Sequence, residues 1–107
     1  MITIVHKIKL LNPDFAGEFE NWVKNTDYVT APKLKSLISF SVFKNSDVNE
    51  TSFDYFEVIR VSSLEAFEED MKTEEFESLV ASFTKMAKVI EEIKGDFLEP
   101  GYNIKIN

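Results

Sequence analysis

From Ile2 to Leu10 the chain alternates without a break, with Ile2, Ile4, His6, Ile8 and Leu10 on one side and Thr3, Val5, Lys7 and Lys9 on the other. A period of two over this length belongs to a half-buried β-strand, because successive side chains of an extended backbone point to opposite faces. Such a strand needs neighbours to pair with and a second layer to cover its isoleucines. The rest of the chain supplies both. Asn12-Pro13-Asp14 offers an N-cap, a proline at the first helical position and an acid in the first turn. Phe15, Phe19, Trp22 and Val23 follow at helical spacing, which predicts a helix from about Pro13 to Asn25. After a loop holding Pro32, "LISFSVF" and "FDYFEVIRV" predict two more strands, joined as a hairpin by the polar "KNSDVNETS". Ser62-Ser63-Leu64-Glu65 fits a capping box ahead of a short helix anchored by Phe67. Thr73 caps another helix, with Phe76, Leu79, Val80, Phe83, Ala87 and Ile90 on one stripe. Periodicity extends that helix to Lys94 with Gly95 as its left-handed cap, although "VIEEIK" also reads as strand. In "GYNIKIN" the alternation of Tyr102, Ile104 and Ile106 predicts a closing edge strand.

The order β-α-β-β-α-β is the ferredoxin-like plan, an α+β fold with an antiparallel sheet, helices on one face only, and the first and third strands side by side at its centre. The chain of 107 residues is expected to form one such domain, 1–107. The face away from the helices would carry Val5, Leu37, Phe43, Phe56 and Val58, too much apolar surface to leave wet. A two-fold homodimer packing sheet on sheet is the simplest cover.

Composition removes several functions. There is no cysteine, so disulfides, thiolate metal sites and cysteine nucleophiles are absent. A net charge of -7, from 12 Lys and Arg against 19 Asp and Glu, lacks the basic footprint that nucleic-acid phosphates require. No segment approaches the roughly 20 apolar residues of a membrane span, and the N-terminus has no signal-peptide pattern, so a cytoplasmic protein is expected. With only three glycines and no phosphate loop, Rossmann glycine run, nucleophile elbow or H-E-x-x-H, no cofactor is expected. His6 is the one histidine, which excludes multi-histidine metal centres and leaves a lone axial haem ligand as a formal option.

Three runs, "FENWVKNTD", "FDYFEVIRV" and "AFEEDMKTEEFESLVASF", together resemble the RedY-like (HapK) family of the dimeric α/β-barrel superfamily. The resemblance rests on Trp22-Val23 with Thr26-Asp27, on Asp54-Tyr55 with Glu57-Val58-Ile59, and on Phe67, Asp70, Thr73 and Phe83. It spans Phe19 to Phe83, while the hairpin loop and the C-terminal segment depart from the family pattern. It implies a homodimer acting in small-molecule metabolism, with relatives in pathways to pyrrole-based pigments and similar aromatic natural products. The wider superfamily includes cofactor-free oxygenases, cyclases and haem-processing enzymes, so fold alone fixes no chemistry.

The residue that most suggests chemistry is Glu57, in the middle of "DYFEVIRV". Glutamate is depleted in strands, and a buried carboxylate without partners is heavily penalised. It shares a face with Tyr55 and Ile59, and His6 shares one with Ile4 and Ile8 on the neighbouring strand. If the faces coincide, the two form an acid–base pair beneath the helices. The plainer alternatives are a structural ion pair, a glutamate reaching the sheet edge, and a histidine satisfied in an apolar layer. Asp27 sits at the expected C-terminus of the first helix, where the macrodipole disfavours an acid. It either caps the next turn or, with Thr26, lines the mouth of a cleft between helix and sheet. Trp22 and Phe19 belong to a stripe that serves either as core or as ligand wall, Trp22 adding an N–H donor. Glu57, His6 and Asp27 are thus the candidate catalytic residues, and Trp22, Thr26, Tyr55, Phe19 and Phe83 the candidate ligand contacts. The readings open at this level are a cofactor-free condensing or cyclising enzyme, a non-catalytic dimeric binding protein, and a cofactor-free monooxygenase.

Overall fold

The computed structural model describes residues 1–102. Four strands, β1 (Ile2–Leu10), β2 (Leu37–Lys44), β3 (Tyr55–Val61) and β4 (Ala87–Asp96), form one sheet in the order β2-β3-β1-β4. Every neighbouring pair is antiparallel. β1 and β3 hold the centre, as the alternation and topology predict. The helices α1 (Ala16–Trp22), α2 (Tyr28–Thr30), α3 (Leu64–Asp70) and α4 (Glu74–Phe83) lie on one face of the sheet. Within the described residues no helix is long and apolar enough to cross a membrane.

The fourth strand is not where the sequence places it. The helix expected to run to Lys94 ends at Phe83, and Ala87–Asp96 pairs with β1 instead. Helical periodicity through Ile90 is coincidental. An α4 carried to Lys94 would leave the backbone of β1 unpaired along one whole edge, a cost that propensity in this segment cannot match. Gly95 is therefore a strand residue opposite Thr3, not a helix cap. In the predicted last strand, Tyr102 is exposed and outside regular structure, and Ile104 and Ile106 lie outside the described residues.

Local capping follows the sequence closely. The Asn12 side chain accepts from the Asp14 N–H at 2.9 Å, and Thr73 Oγ1 accepts from the Phe76 N–H at 3.2 Å. For α3 the cap is Ser63, which accepts from Ala66 N–H at 3.1 Å, one residue later than the capping-box reading from Ser62. The first helical stretch runs past Asn25. After α1 it widens into a π-helical turn over Val23–Asp27, where the Tyr28 N–H bonds back five residues to the Val23 carbonyl, and it continues to Lys33. Asp27 accordingly lies inside a helical run and not at its C-terminus.

The core has two halves. Ile8, Leu10, Phe19, Val23, Tyr55, Met86 and Ala87 pack at one end, and Ile4, Ile59, Val61 and Phe67 at the other. The residues at the break are His6, between Ile4 and Ile8 on β1, and Glu57, between Tyr55 and Ile59 on β3. Two polar side chains at mid-strand interrupt the apolar floor, and the helices span the interruption without filling it.

On the opposite face, register places Phe43 against Phe56, Ser41 against Val58 and Val5 against Ile93. The two phenylalanine rings stack with centroids 5.0 Å apart. Phe43 and Ile93 are exposed, and Val5, Phe56 and Val58 are half-buried. Leu37, expected on this face, packs instead with the Ile4–Ile59 cluster, because an irregularity between Leu37 and Ser39 shifts the register of β2.

Candidate active site

β1 is flanked by β3 and β4, and the register sets Glu57 and Glu92 on either side of His6. Cross-strand neighbours on one face stand close enough for direct side-chain bonds. His6 Nδ1 lies 2.7 Å from Glu57 Oε2, and His6 Nε2 lies 2.7 Å from Glu92 Oε2. Each short contact needs a proton between its two atoms, so the three groups hold two protons. They form either an imidazolium between two carboxylates or a neutral imidazole with one carboxylic acid. Burial by itself lowers the His6 pKa, but the hydrogen bonds to Glu57 and Glu92 and their charges outweigh it and raise the value above the ordinary one. Side-chain exposure is 16% for His6, 14% for Glu57 and 46% for Glu92. Glu92 also meets Lys94 Nζ at 3.3 Å.

Above this trio lies a cavity of about 270 Å³, with Ile4, Leu37, Phe40 and Ile59 in its floor and Trp22, Phe67, Phe76, Leu79 and Phe83 among its helical walls. One acid looks into it from the helices. Asp27 is only 7% exposed, and among the described residues its carboxylate has no hydrogen-bond partner. Burial, and secondarily the charge of Glu57, push its pKa up to about 7. The π-helical turn puts it there, since one extra residue per turn rotates the succeeding positions relative to a regular helix, and such turns recur at functional sites. Trp22 Nε1 is buried and unpartnered in the same wall. Buried polar groups in folded proteins are almost always paired, so the unpaired Trp22 Nε1 and the partnerless Asp27 carboxyl set this wall apart from the rest of the core.

Of the residues singled out in the sequence, His6 and Glu57 meet as expected, and Asp27, Trp22 and Phe83 line the same cavity. Thr26 is exposed and does not reach it. Phe19 and Tyr55 belong to the core, with centroids 4.7 Å apart, and border a separate cavity of about 140 Å³. The Tyr55 hydroxyl donates to Glu20 at 2.6 Å, and burial together with that carboxylate pushes its pKa up. Asp54 and Asp70 are structural. Asp54 accepts from the Leu10 N–H at 2.8 Å, and Asp70 accepts from Ser36 N–H at 2.8 Å and from the Ser36 hydroxyl. Glu92 escapes sequence reasoning because helical periodicity runs through its segment, and the strand reading of "VIEEIK" is the signal that finds it. Among the described residues no group of three or more His, Asp or Glu is arranged to hold a metal ion.

The sequence pattern of the family described as "REDY-like protein HapK" matches residues 2–98. Among solved structures, HapK from Hahella chejuensis is 42% identical to the chain and superposes with a TM-score of 0.91, over 98% of this chain and 100% of that one. SnoaB, a cofactor-independent oxygenase from Streptomyces nogalater, shares the fold at a TM-score of 0.71 and 13% identity, over 92% and 94% of the two chains. An EthD family protein from Bacillus halodurans does so at 0.65 and 16%, over 92% and 99%. No curated protein sequence matches the chain.

Proposed function

Because the chain belongs to the REDY-like HapK family, we propose that its sheet–helix cavity binds a small, flat aromatic of pyrrole or indole type. Asp27, His6 and Glu57 then catalyse its condensation or cyclisation by proton transfer, without a cofactor. The observation that carries this reading is Asp27, a buried, unpartnered carboxyl poised near neutrality and facing a hydrogen-bonded His6–Glu57 pair across an apolar space.

A ring closure on a carbonyl with loss of water proceeds by addition and then elimination. Each step removes one proton from the reacting carbon or nitrogen side and delivers one to the oxygen that departs; the first exchange is the addition. General acid–base catalysis is most effective when the group's pKa lies near the working pH, which the environment of Asp27 provides. In its acid form Asp27 protonates the carbonyl oxygen, and Glu57, held by His6, removes the proton from the nucleophile. Trp22 and Phe83 supply flat walls for stacking. The low-dielectric surroundings strengthen each of these contacts. The likeness in fold to SnoaB, described as a cofactor-independent oxygenase, supports chemistry that proceeds without a cofactor.

Trp22 is the only tryptophan, so its emission reports on the cavity directly. Titration with alkylpyrroles is expected to quench it saturably in the native protein, and Asp27→Asn is expected to weaken that binding about tenfold, by roughly 1.4 kcal/mol. With a substrate in hand, Glu57→Gln should abolish turnover and leave binding and fold intact. Binding without any turnover in the native protein would make this a carrier; no saturable quenching by any flat heterocycle would remove the reading altogether.

The outer face of the sheet bears on assembly. Val5, Phe43, Phe56, Val58 and Ile93 form one apolar surface, suited to the sheet-on-sheet homodimer that the sequence suggests.

A further inference from the structure

Resting on the acid–base reading above, we propose that Glu57, His6 and Glu92 form a proton path across three adjacent strands, with Glu92 as its outlet to water. The sheet register fixes the path. Glu57 on β3, His6 on β1 and Glu92 on β4 stand in one cross-strand row, and both links of the row are 2.7 Å long. Exposure rises along it, from 14% at Glu57 and 16% at His6 to 46% at Glu92. A structural ion pair would need one carboxylate on one ring nitrogen. Here both nitrogens are engaged by carboxylates on opposite strands, one inside the cavity and one at its wet rim, which is the arrangement that lets an imidazole receive at one atom and release at the other.

The transfers balance. The outward passage starts from the neutral imidazole with Glu57 as the carboxylic acid, its proton taken from the bound molecule, and that proton moves to His6 Nδ1. The Nε2 proton leaves for Glu92, and Glu92 gives it to water. The ring is left with its proton on Nδ1. In the inward passage Glu92 takes a proton from water and passes it to Nε2, and the Nδ1 proton returns to Glu57. One passage each way restores the starting tautomer, and only O–H and N–H bonds are made or broken. A condensation uses both passages when Glu57 takes a proton at the addition and returns one at the loss of water, while Asp27 gives its own proton at the addition and regains one at the elimination. The charged groups around the row are Asp27 and Glu68 from the helical walls and Lys94 beside Glu92 on β4. Lys94 holds Glu92 by charge but has no contact with His6, so it lies off the path.

The single histidine makes the test direct, since only one imidazole contributes to the nitrogen-15 spectrum. Exchange of its two ring protons with water is measured on the unliganded protein at neutral pH. Glu92→Gln keeps an oxygen that accepts from Nε2 but cannot carry a proton away. Exchange at both ring nitrogens, including Nδ1 on the cavity side, is expected to slow at least tenfold in that variant. Lys94→Gln changes the local charge by one unit in the opposite sense and is expected to leave exchange within about threefold of the native rate. Unchanged or faster Nδ1 exchange in Glu92→Gln, or equal slowing in Lys94→Gln, would overturn the path. The measurement involves no ligand. A failure here leaves the pyrrole titration unaffected, and a failure of that titration leaves this result standing.

Discussion

At the scale of single residues, the site is defined by what two titratable groups lose and gain on folding. Asp27 has a folded pKa of about 7 against an ordinary 3.8, so the folded state binds its proton more tightly than the unfolded state does. Its effect is therefore a stability present at low pH and lost as pH rises from about 4 through 7. A shift of three units sets an upper bound of about 4 kcal/mol. His6 acts in the same direction. Its pKa is also raised, so its contribution is full below the unfolded value and fades as pH climbs through the folded one. Thermal unfolding followed from pH 5 to pH 8 should show the native protein losing stability, and Asp27→Asn should flatten most of that slope and stabilise the fold by ~2 kcal/mol or more at pH 8. An unchanged slope would mean that Asp27 meets water in solution. Alternation groups Glu57 with Tyr55 and Ile59, and His6 with Ile4 and Ile8, but it is the register between β1 and β3 that sets the two groups on one face. Thr26 and Tyr55 are not placed by the same logic. Thr26 follows the helical turn outward, and the Tyr55 hydroxyl is taken by Glu20, a partner far away in sequence.

At the scale of elements, the π-helical turn Val23–Asp27 is the device that aims Asp27. It contains one residue more than a regular turn would. Deleting Asn25, which is exposed, should restore α-helical spacing and rotate the next residue by about 100°. The expected result is a folded protein whose stability no longer depends on pH through Asp27 and whose Trp22 emission no longer responds to pyrroles; far-UV dichroism and the same titration check both. Capping is a simpler case. Thr73→Ala removes the acceptor of the Phe76 N–H and should cost about 1 kcal/mol, read by denaturant unfolding. Caps of this kind are visible in sequence because the donor lies within three residues of the acceptor. β4 is not visible in this way, because an edge strand is selected by the strand it pairs with. In β4 an irregularity opposite Lys7 and Ile8 also breaks the alternation, letting Val89 and Glu92 both face the cavity three residues apart. That spacing is why the segment reads equally well as helix.

At the scale of the whole molecule, the sheet has one face under helices and one face bare. The bare face carries stacked Phe43 and Phe56 with Val5, Val58 and Ile93 around them. Val58→Lys should convert the proposed dimer to monomer in sedimentation while leaving the fold intact, since position 58 is only half-buried within the single chain. A native protein that sediments as a monomer at micromolar concentration would remove the dimer. The cavity is also a property of the whole molecule. It exists because the apolar floor is divided between two clusters and the helices bridge the gap.

The sequence by itself determined the period of each central strand, the Asn12 and Thr73 caps, which residues share a face with His6 and which with Glu57, and the family. All of these depend on residues near one another in the chain or on short patterns that repeat. Only the tertiary structure decided that Ala87–Asp96 is a strand, that Glu92 completes the row across the sheet, and that Asp27 points inward without a partner. The physical reason is the same in each case. Backbone pairing across an edge, contact between strands and withdrawal from water are set by groups distant in sequence, and local pattern carries no record of them.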